Sequence, residues 1–258
     1  ILLAGLYADG YTIVEEPFQS RDHTERMLEY FGADIKIDGR ITSIKSGRVL
    51  EGKKIQIPGD ISSAAFFIVL ALLLKGSELT LKSIGINPTR RKIVDLLIKM
   101  GADIKIENEK KLFEPICDLK INASNLRGVK ITEEEVPRII DEIPILCVAA
   151  AQAEGVTEIR GVQELRVKET DRVFSMVDNL KRLGVDISSK NNNIAIKGRK
   201  KRFSTKSGTV LESYGDHRTA MAMCVGAAAS DASCRICDID CINTSFPEFF
   251  DIFNYVRR

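Results

Sequence analysis

The chain has 258 residues, of which 44% are apolar and 29% charged, and its 38 Lys and Arg against 36 Asp and Glu leave a net charge of +2. That length holds one large domain or two modest ones, the composition excludes intrinsic disorder, and the charge balance argues against bulk binding to nucleic acid or a membrane surface. The longest apolar run, Ala64–Leu74, has 11 residues, short of the ~20 that a membrane span requires.

In chain order, Ile1–Ala8 reads as an apolar helix feeding a strand at Tyr11–Glu15. A polar corner, Ser20–Glu25, opens an amphipathic helix over Asp22–Tyr30. The phrase Phe31-Gly-Ala-Asp-Ile35 then stops that helix at Gly32, in a left-handed cap, and starts a strand. Pro58-Gly59-Asp60 reads as a hinge between this unit and the next. The same order returns with an apolar helix at Ser62–Leu74, a strand at Glu78–Ser83, an amphipathic helix at Arg90–Lys99 and Met100-Gly-Ala-Asp-Ile104. It returns again with Ile143–Ala153, Thr157–Arg160, Asp171–Arg182 and Leu183-Gly-Val-Asp-Ile187. A last copy has Arg218–Ala229, Ser233–Asp238 and the helix Pro247–Tyr255, and then the chain stops. The glycines Gly32, Gly101 and Gly184 are 69 and 83 residues apart. Such self-similarity marks a repeated supersecondary unit. Helices without a polar face are expected inside and amphipathic ones outside. Alternation such as Ile35-Lys-Ile37 and Ile194-Ala-Ile196 gives each sheet one wetter face.

The six cysteines do not form a staple pattern. Cys147 and Cys224 fall in apolar helices. Cys234-Arg-Ile-Cys237 reads as strand rather than zinc site, since no second pair or nearby His completes one. Unpaired thiols fit a reducing cytoplasm. Arg199-Lys-Lys-Arg202 reads as a solvated loop.

Polar residues concentrate where helices begin. Asp22 and Glu25 have capping-box spacing. Arg21 does not suit a cap, because a cation opposes the helix dipole, but it suits an anion held between its guanidinium and the helix amides. Asp141 in Asp141-Glu-Ile-Pro144 reads as an N-cap, with Pro144 in the first turn; beside a low-dielectric cleft such a carboxylate also exchanges protons. Arg166-Val-Lys-Glu-Thr-Asp-Arg172 packs three cations and two anions into seven residues. Leu165 and Val167 suggest that this segment is partly buried, and Lys168 and Arg172, four apart, suggest a shared helical face. Asp216 reads as a cap and His217 as a packed or capping residue. Arg218 lies in the first turn of an otherwise apolar helix, where packing gives it no role. Arg21, Lys168, Arg172 and Arg218, with Asp141 and Glu169, therefore describe a site for a heavily anionic ligand, with the carboxylates as acid and base. No Gly-rich phosphate loop, nucleotide fingerprint or metal motif is present.

Ser20-Arg-Asp-His-Thr-Glu-Arg-Met-Leu28, Pro58-Gly-Asp-Ile-Ser-Ser63, Asp141-Glu-Ile-Pro144, Arg166–Arg172, Asp216-His-Arg218 and Thr244-Ser-Phe-Pro247 together resemble the 3-phosphoshikimate 1-carboxyvinyltransferase (5-enolpyruvylshikimate-3-phosphate synthase) family, the target of glyphosate. The resemblance runs in order along the whole chain. It implies an α/β fold of two lobes, each an inverted α/β barrel of βαβαββ repeats. Residues 1–57 would close the N-terminal lobe, and residues 58–258 would form most of the C-terminal lobe. The chain, which opens on Ile1 inside an apolar run, is expected to be a fragment without its front end, inactive alone.

The implied reaction transfers the enolpyruvyl group of phosphoenolpyruvate to the 5-hydroxyl of shikimate 3-phosphate and releases phosphate. It needs no metal or organic cofactor, and the protein would be a cytoplasmic monomer at full length. By position, Asp141 matches the acceptor of the hydroxyl proton, Glu169 the proton donor to the methylene carbon, and Lys168 a cation near both substrates. Arg172 and Arg218 match contacts to phosphoenolpyruvate, and Ser20 and Arg21 contacts to shikimate 3-phosphate. Thr244 stands where some members carry a Lys. The alternatives are a UDP-N-acetylglucosamine enolpyruvyl transferase, which lacks the Lys-Glu-Thr-Asp-Arg spelling, and a non-catalytic repeat scaffold whose corners serve only as caps.

Overall fold

The computed structural model describes residues 1–257; Arg258, the end of the expected second lobe, lies outside them. The first unit comprises α1 (Leu2–Gly5), β1 (Tyr11–Glu15), α2 (His23–Tyr30), β2 (Asp34–Asp38) and β3 (Ile41–Lys45). Its sheet has the order β1-β3-β2 with both pairings antiparallel. The outer strands therefore run parallel, joined by α2 across the middle strand. Ile44, fully buried, meets Leu2 and Leu28 in a small core of its own. Helix α1 is shorter than the apolar run suggests, and Ile1, Leu3 and Tyr7 are exposed.

Residues 47–58 carry no regular structure, and 47–57 are exposed throughout. The residues expected to form a hinge are instead bonded into the next unit. Gly59 is pinned by an amide bond to Ser83 (2.8 Å) and a carbonyl bond from Gly85 (2.9 Å), while Asp60 caps the next helix through Ser62 N and Ser63 N. Residues 58–60 thus belong to the second unit.

That second unit has α3 (Ile61–Leu73), β4 (Glu78–Gly85), α4 (Lys92–Lys99), β5 (Asp103–Lys110) and β6 (Ile116–Asn122), in sheet order β4-β6-β5. The third has β7 (Lys130–Ile131), α5 (Ile143–Gln152), β8 (Glu154–Arg160), α6 (Arg172–Arg182), β9 (Asp186–Lys190) and β10 (Asn193–Arg199), in order β7-β8-β10-β9. The last has β11 (Thr209–Glu212), α7 (His217–Ala228), β12 (Cys234–Cys237) and α8 (Phe249–Val256). In the third and last units a strand parallel to the next precedes the buried helix, β7 beside β8 and β11 beside β12. The third unit is thereby completed to βαβαββ, while the last runs βαβα among the described residues.

The apolar sequences of α3, α5 and α7 leave no face for water, and these three helices pack on one another at the centre of the main core. The amphipathic helices lie outside. Gly32, Gly101 and Gly184 have φ of +86°, +95° and +75°. Around each, the following amide reaches back five residues (Ala33 to Leu28, Ala102 to Leu97, Val185 to Leu180) while the glycine amide reaches back three. This is one Schellman cap used three times, and it turns each chain from helix into strand.

Candidate active site

Helices α2, α5, α6 and α7 bring their N-terminal ends together at one place. Such ends carry partial positive charge and free amides, and the corner residues add full charges to them. At the centre is Asp141, just before α5, with its side chain 15% exposed. Its Oδ2 accepts from Arg21 of the first unit and lies 3.6 Å from Arg218 Nη2; its Oδ1 accepts from Arg172 Nη1 at 3.4 Å. Arg218 Nη1 also donates to the Asp141 carbonyl at 3.3 Å. Burial pushes the Asp141 carboxyl up, but Arg218, Arg21 and Arg172 outweigh it and hold it below the usual carboxylate range.

Arg172, the first residue of α6, is 1% exposed and organises the other wall. It donates to Asp216 through Nε (2.9 Å) and to Glu169 through Nη2 (2.6 Å). Asp216 is fully buried and caps α7 through Thr219 N (2.7 Å). Glu169, by contrast, is half exposed. Ser20 adjoins Arg21 but is engaged with Glu16. Lys168 is exposed and makes no hydrogen bond or ion pair among the described residues.

The structure thus gathers Arg21, Asp141, Glu169, Arg172 and Arg218 around one point, with Ser20 and Lys168 at its margin. Glu169, Asp216 and His217 bring ligand atoms within 4.8 Å of one another, but the Arg172 guanidinium already bonds two of the three and takes the cation's place. Burial is the largest influence on His217 and pushes it down, toward the neutral imidazole.

Several sequence expectations are corrected. Asp141 does not cap α5, whose first residue follows Glu142 without a side-chain cap bond; its carboxylate is turned to the guanidiniums instead. Asp22 and Glu25 form no capping box, because Asp22 accepts from Arg26 (2.7 Å), Asn87 (2.7 Å) and Thr89 (3.1 Å) rather than from helix amides. Lys168 and Arg172 share no helical face: α6 begins at Arg172, and Lys168 is extended. Val167 is 82% exposed although Leu165 is buried, since the 3-10 turn Gln163–Val167 rotates one inward and the other out. Arg199–Arg202 is only partly a solvated loop, because Arg202 donates to the carbonyls of Ala228 and Ser230 at the end of α7. Thr244 is exposed and bonds the Cys241 carbonyl.

Sequence reasoning missed a second layer. Asn87 and Glu114 hold His23 and Asp22 against the second unit, with His23 Nδ1 at 2.7 Å from Glu114 Oε1. Arg90, buried, pairs with Glu142 and Ser62. The only available signal was Asn87-Pro-Thr-Arg90, four small or polar residues ahead of a helix, which reads as an ordinary turn.

The EPSP synthase (3-phosphoshikimate 1-carboxyvinyltransferase) family profile matches residues 1–253. The chain is 50% identical over 250 residues to a 3-phosphoshikimate 1-carboxyvinyltransferase of Geotalea daltonii, covering 96% of this chain and 57% of the relative. It is likewise 50% identical over 259 residues to that of Petrotoga mobilis, covering 100% of this chain and 59% of the relative. An EPSP synthase structure from Acinetobacter baumannii superposes with a TM-score of 0.91 at 43% identity, covering 99% of this chain and 58% of that one. The enolpyruvyl transferase NikO from Streptomyces tendae superposes with a TM-score of 0.78 at 22% identity, covering 99% of this chain and 57% of that one, which shows the shared fold. The chain spans a little under three fifths of the length of the curated relatives it matches. With its sequence and its fold matched along nearly all of its length, the chain belongs to the EPSP synthase (3-phosphoshikimate 1-carboxyvinyltransferase) family.

Proposed function

We propose that this chain works in the transfer of the enolpyruvyl group from phosphoenolpyruvate to the 5-hydroxyl of shikimate 3-phosphate, with release of phosphate, as part of a cytoplasmic protein. The observation that carries the reading is the convergence of Arg21, Arg172 and Arg218 on Asp141 at a set of helix N-termini. Two polyanionic substrates repel each other, and joining them requires fixed positive charge on both. Arg172 and Arg218 take the phosphoenolpyruvate, Ser20 and Arg21 the shikimate 3-phosphate, and Lys168 the space between them.

The guanidiniums that lower the proton affinity of Asp141 are the groups that meet the anions. When substrates draw them off, Asp141 becomes a stronger base and accepts the hydroxyl proton. Glu169, held by Arg172 and half exposed, delivers a proton to the methylene carbon as the hydroxyl oxygen bonds C2, and a proton leaves the resulting methyl group as the C–O bond to phosphate breaks and phosphate departs. Residues 1–57 and 58–258 serve as parts of two lobes. Their separate apolar cores and the exposed stretch 47–57 support that division. Both walls of the cleft come from one chain, so no second copy is required.

The test is phosphate release from phosphoenolpyruvate by the protein expressed from its complete gene, with and without shikimate 3-phosphate. Release that depends on shikimate 3-phosphate is expected. Release driven equally by UDP-N-acetylglucosamine, or none with either acceptor, overturns the reading.

A further inference from the structure

Behind Asp141 lies a charge pair that the proposed chemistry does not use. Glu142 follows Asp141 directly, yet its side chain is turned inward and is 0% exposed. It accepts from Arg90 Nη2 at 3.1 Å, and that guanidinium is itself 7% exposed. Ser62 closes the triangle, accepting from Arg90 and donating to Glu142. The three residues come from the first turn of α3, the turn before α4 and the start of α5.

Stability does not explain this arrangement. Removing two charges from water roughly cancels their attraction, and well-packed apolar residues of equal volume are often as stable or more so. Here the balance is worse than usual. Glu142 Oε2 and Arg90 Nη1 are both buried with no hydrogen-bond partner, and each buried unmet group is itself unfavourable. Burial is also the largest influence on Glu142 and pushes its carboxyl up. What the pair does supply is directional constraint at one place. Asp141 has no cap bond of its own. Its backbone is held by Arg218 at the carbonyl (3.3 Å) and, one residue on, by the Glu142 side chain. Rotating Asp141 out of line would pull Glu142 from Arg90 and Ser62.

We propose that the Arg90–Glu142 pair, clamped by Ser62, is the strut that fixes Asp141 in the cleft, making Arg90 and Glu142 positioning residues. The inference rests on Asp141 being the proton acceptor. It predicts a loss in turnover rather than in affinity, because the substrates meet guanidiniums that the strut does not touch. A shift of about 1 Å in a catalytic group lowers rate by about 10²-fold.

The test uses Glu142→Gln, Ser62→Ala, the double variant Arg90→Met/Glu142→Met and Asp141→Asn, each in the protein expressed from its complete gene. Expected for Glu142→Gln is a kcat lower by about 10- to 100-fold with KM for either substrate within about twofold, and a smaller fall for Ser62→Ala. The double variant removes the buried charges together, so it is expected to melt at or above the parent temperature while kcat stays low. A purely structural pair would instead regain turnover along with stability. Parent-level kcat in the folded double variant, or in both Glu142→Gln and Ser62→Ala, overturns the strut. If Asp141→Asn is inactive while the other variants match the parent, only the strut fails. If Asp141→Asn keeps parent turnover, the reading of Asp141 as the base fails first.

Discussion

Replacing Asp141 by Asn changes one charge and almost no volume, so its consequences can be worked out from the geometry. Asn keeps an acceptor oxygen for Arg21, but Arg172 at 3.4 Å and Arg218 at 3.6 Å lose their shared counter-charge. At an effective dielectric of about 20, each such pair is worth ~5 kcal/mol in isolation. Desolvation offsets most of that, and removing one partner of a buried pair typically costs about 3–5 kcal/mol. The cost is lower here, because Arg172 keeps Asp216 and Glu169, and Arg21 is 46% exposed and screened by solvent. A loss of about 1–3 kcal/mol is expected, or ~2–4 °C in melting temperature per kcal/mol for a chain of this size.

Turnover should fall much further. Losing a general base removes about 10²- to 10⁴-fold in rate, or ~2.7–5.4 kcal/mol of barrier. The pH dependence carries a separate sign. The folded-state proton affinity of Asp141 is depressed, so its stabilising contribution is present above the unfolded carboxylate range and is lost as pH falls through the lower folded value. Asp141→Asn should therefore be less stable than the parent at neutral pH and should flatten the stability profile below about pH 4. Circular-dichroism melts across pH and initial rates of phosphate release, normalised to folded protein, read both effects. A variant that melts lower yet turns over within about threefold of the parent would falsify the base role, since a general base supplies far more than that.

Phe249 is fully buried, with ring centroids 5.3–6.3 Å from Phe66, Phe67, Phe246, Phe250 and Phe253. Phe249→Ala should cost about 3–5 kcal/mol, and a denaturation midpoint unchanged from the parent would show that the cluster is not packed as described. A Cβ at Gly198 would overlap the carbonyl oxygens of Ala150 and Ala153 where β10 crosses the end of α5. Gly198→Ala should therefore destabilise by about 1–3 kcal/mol, and a neutral melt would deny the close approach. Burial pushes the Cys147 and Cys224 thiols up to about 12. Iodoacetamide at pH 8 followed by mass spectrometry should label the partly exposed Cys234, Cys237 and Cys241 and leave those two unmodified. Burial pushes the Asp22 carboxyl up, but Asn87, Arg26 and Thr89 pull it further down, so Asp22→Asn should weaken the acid-side loss of stability seen in the parent.

The repeated unit was legible because it is written in local chemistry. A left-handed turn after an amphipathic helix favours glycine at one position, and Gly32, Gly101 and Gly184 mark it three times. Burial on all sides demands helices without a polar stripe, as in α3, α5 and α7. The surplus cations Arg21, Arg172 and Arg218 were visible for a similar reason, since helix starts do not otherwise favour positive charge.

What could not be read was where each carboxylate would turn. Asp141, Asp22 and Asp216 all stand at helix starts and all suit a cap, yet only Asp216 bonds a helix amide. The other two find partners 65 and 120 residues away in sequence, Asn87 for Asp22 and Arg21 for Asp141. Val167 faced outward for want of a neighbour that only the packed turn defines. The buried Arg90–Glu142 pair left only an ordinary-looking turn at Asn87-Pro-Thr-Arg90 in the sequence. By itself, then, the sequence determined the buried and amphipathic helices, the strands that follow them and their recurrence, because backbone torsion and burial period act within a few residues, while strands such as β7 and β11 emerged only in the fold. The tertiary structure alone decided which charges meet, because a carboxylate goes to the nearest positive group that the folded chain brings within reach.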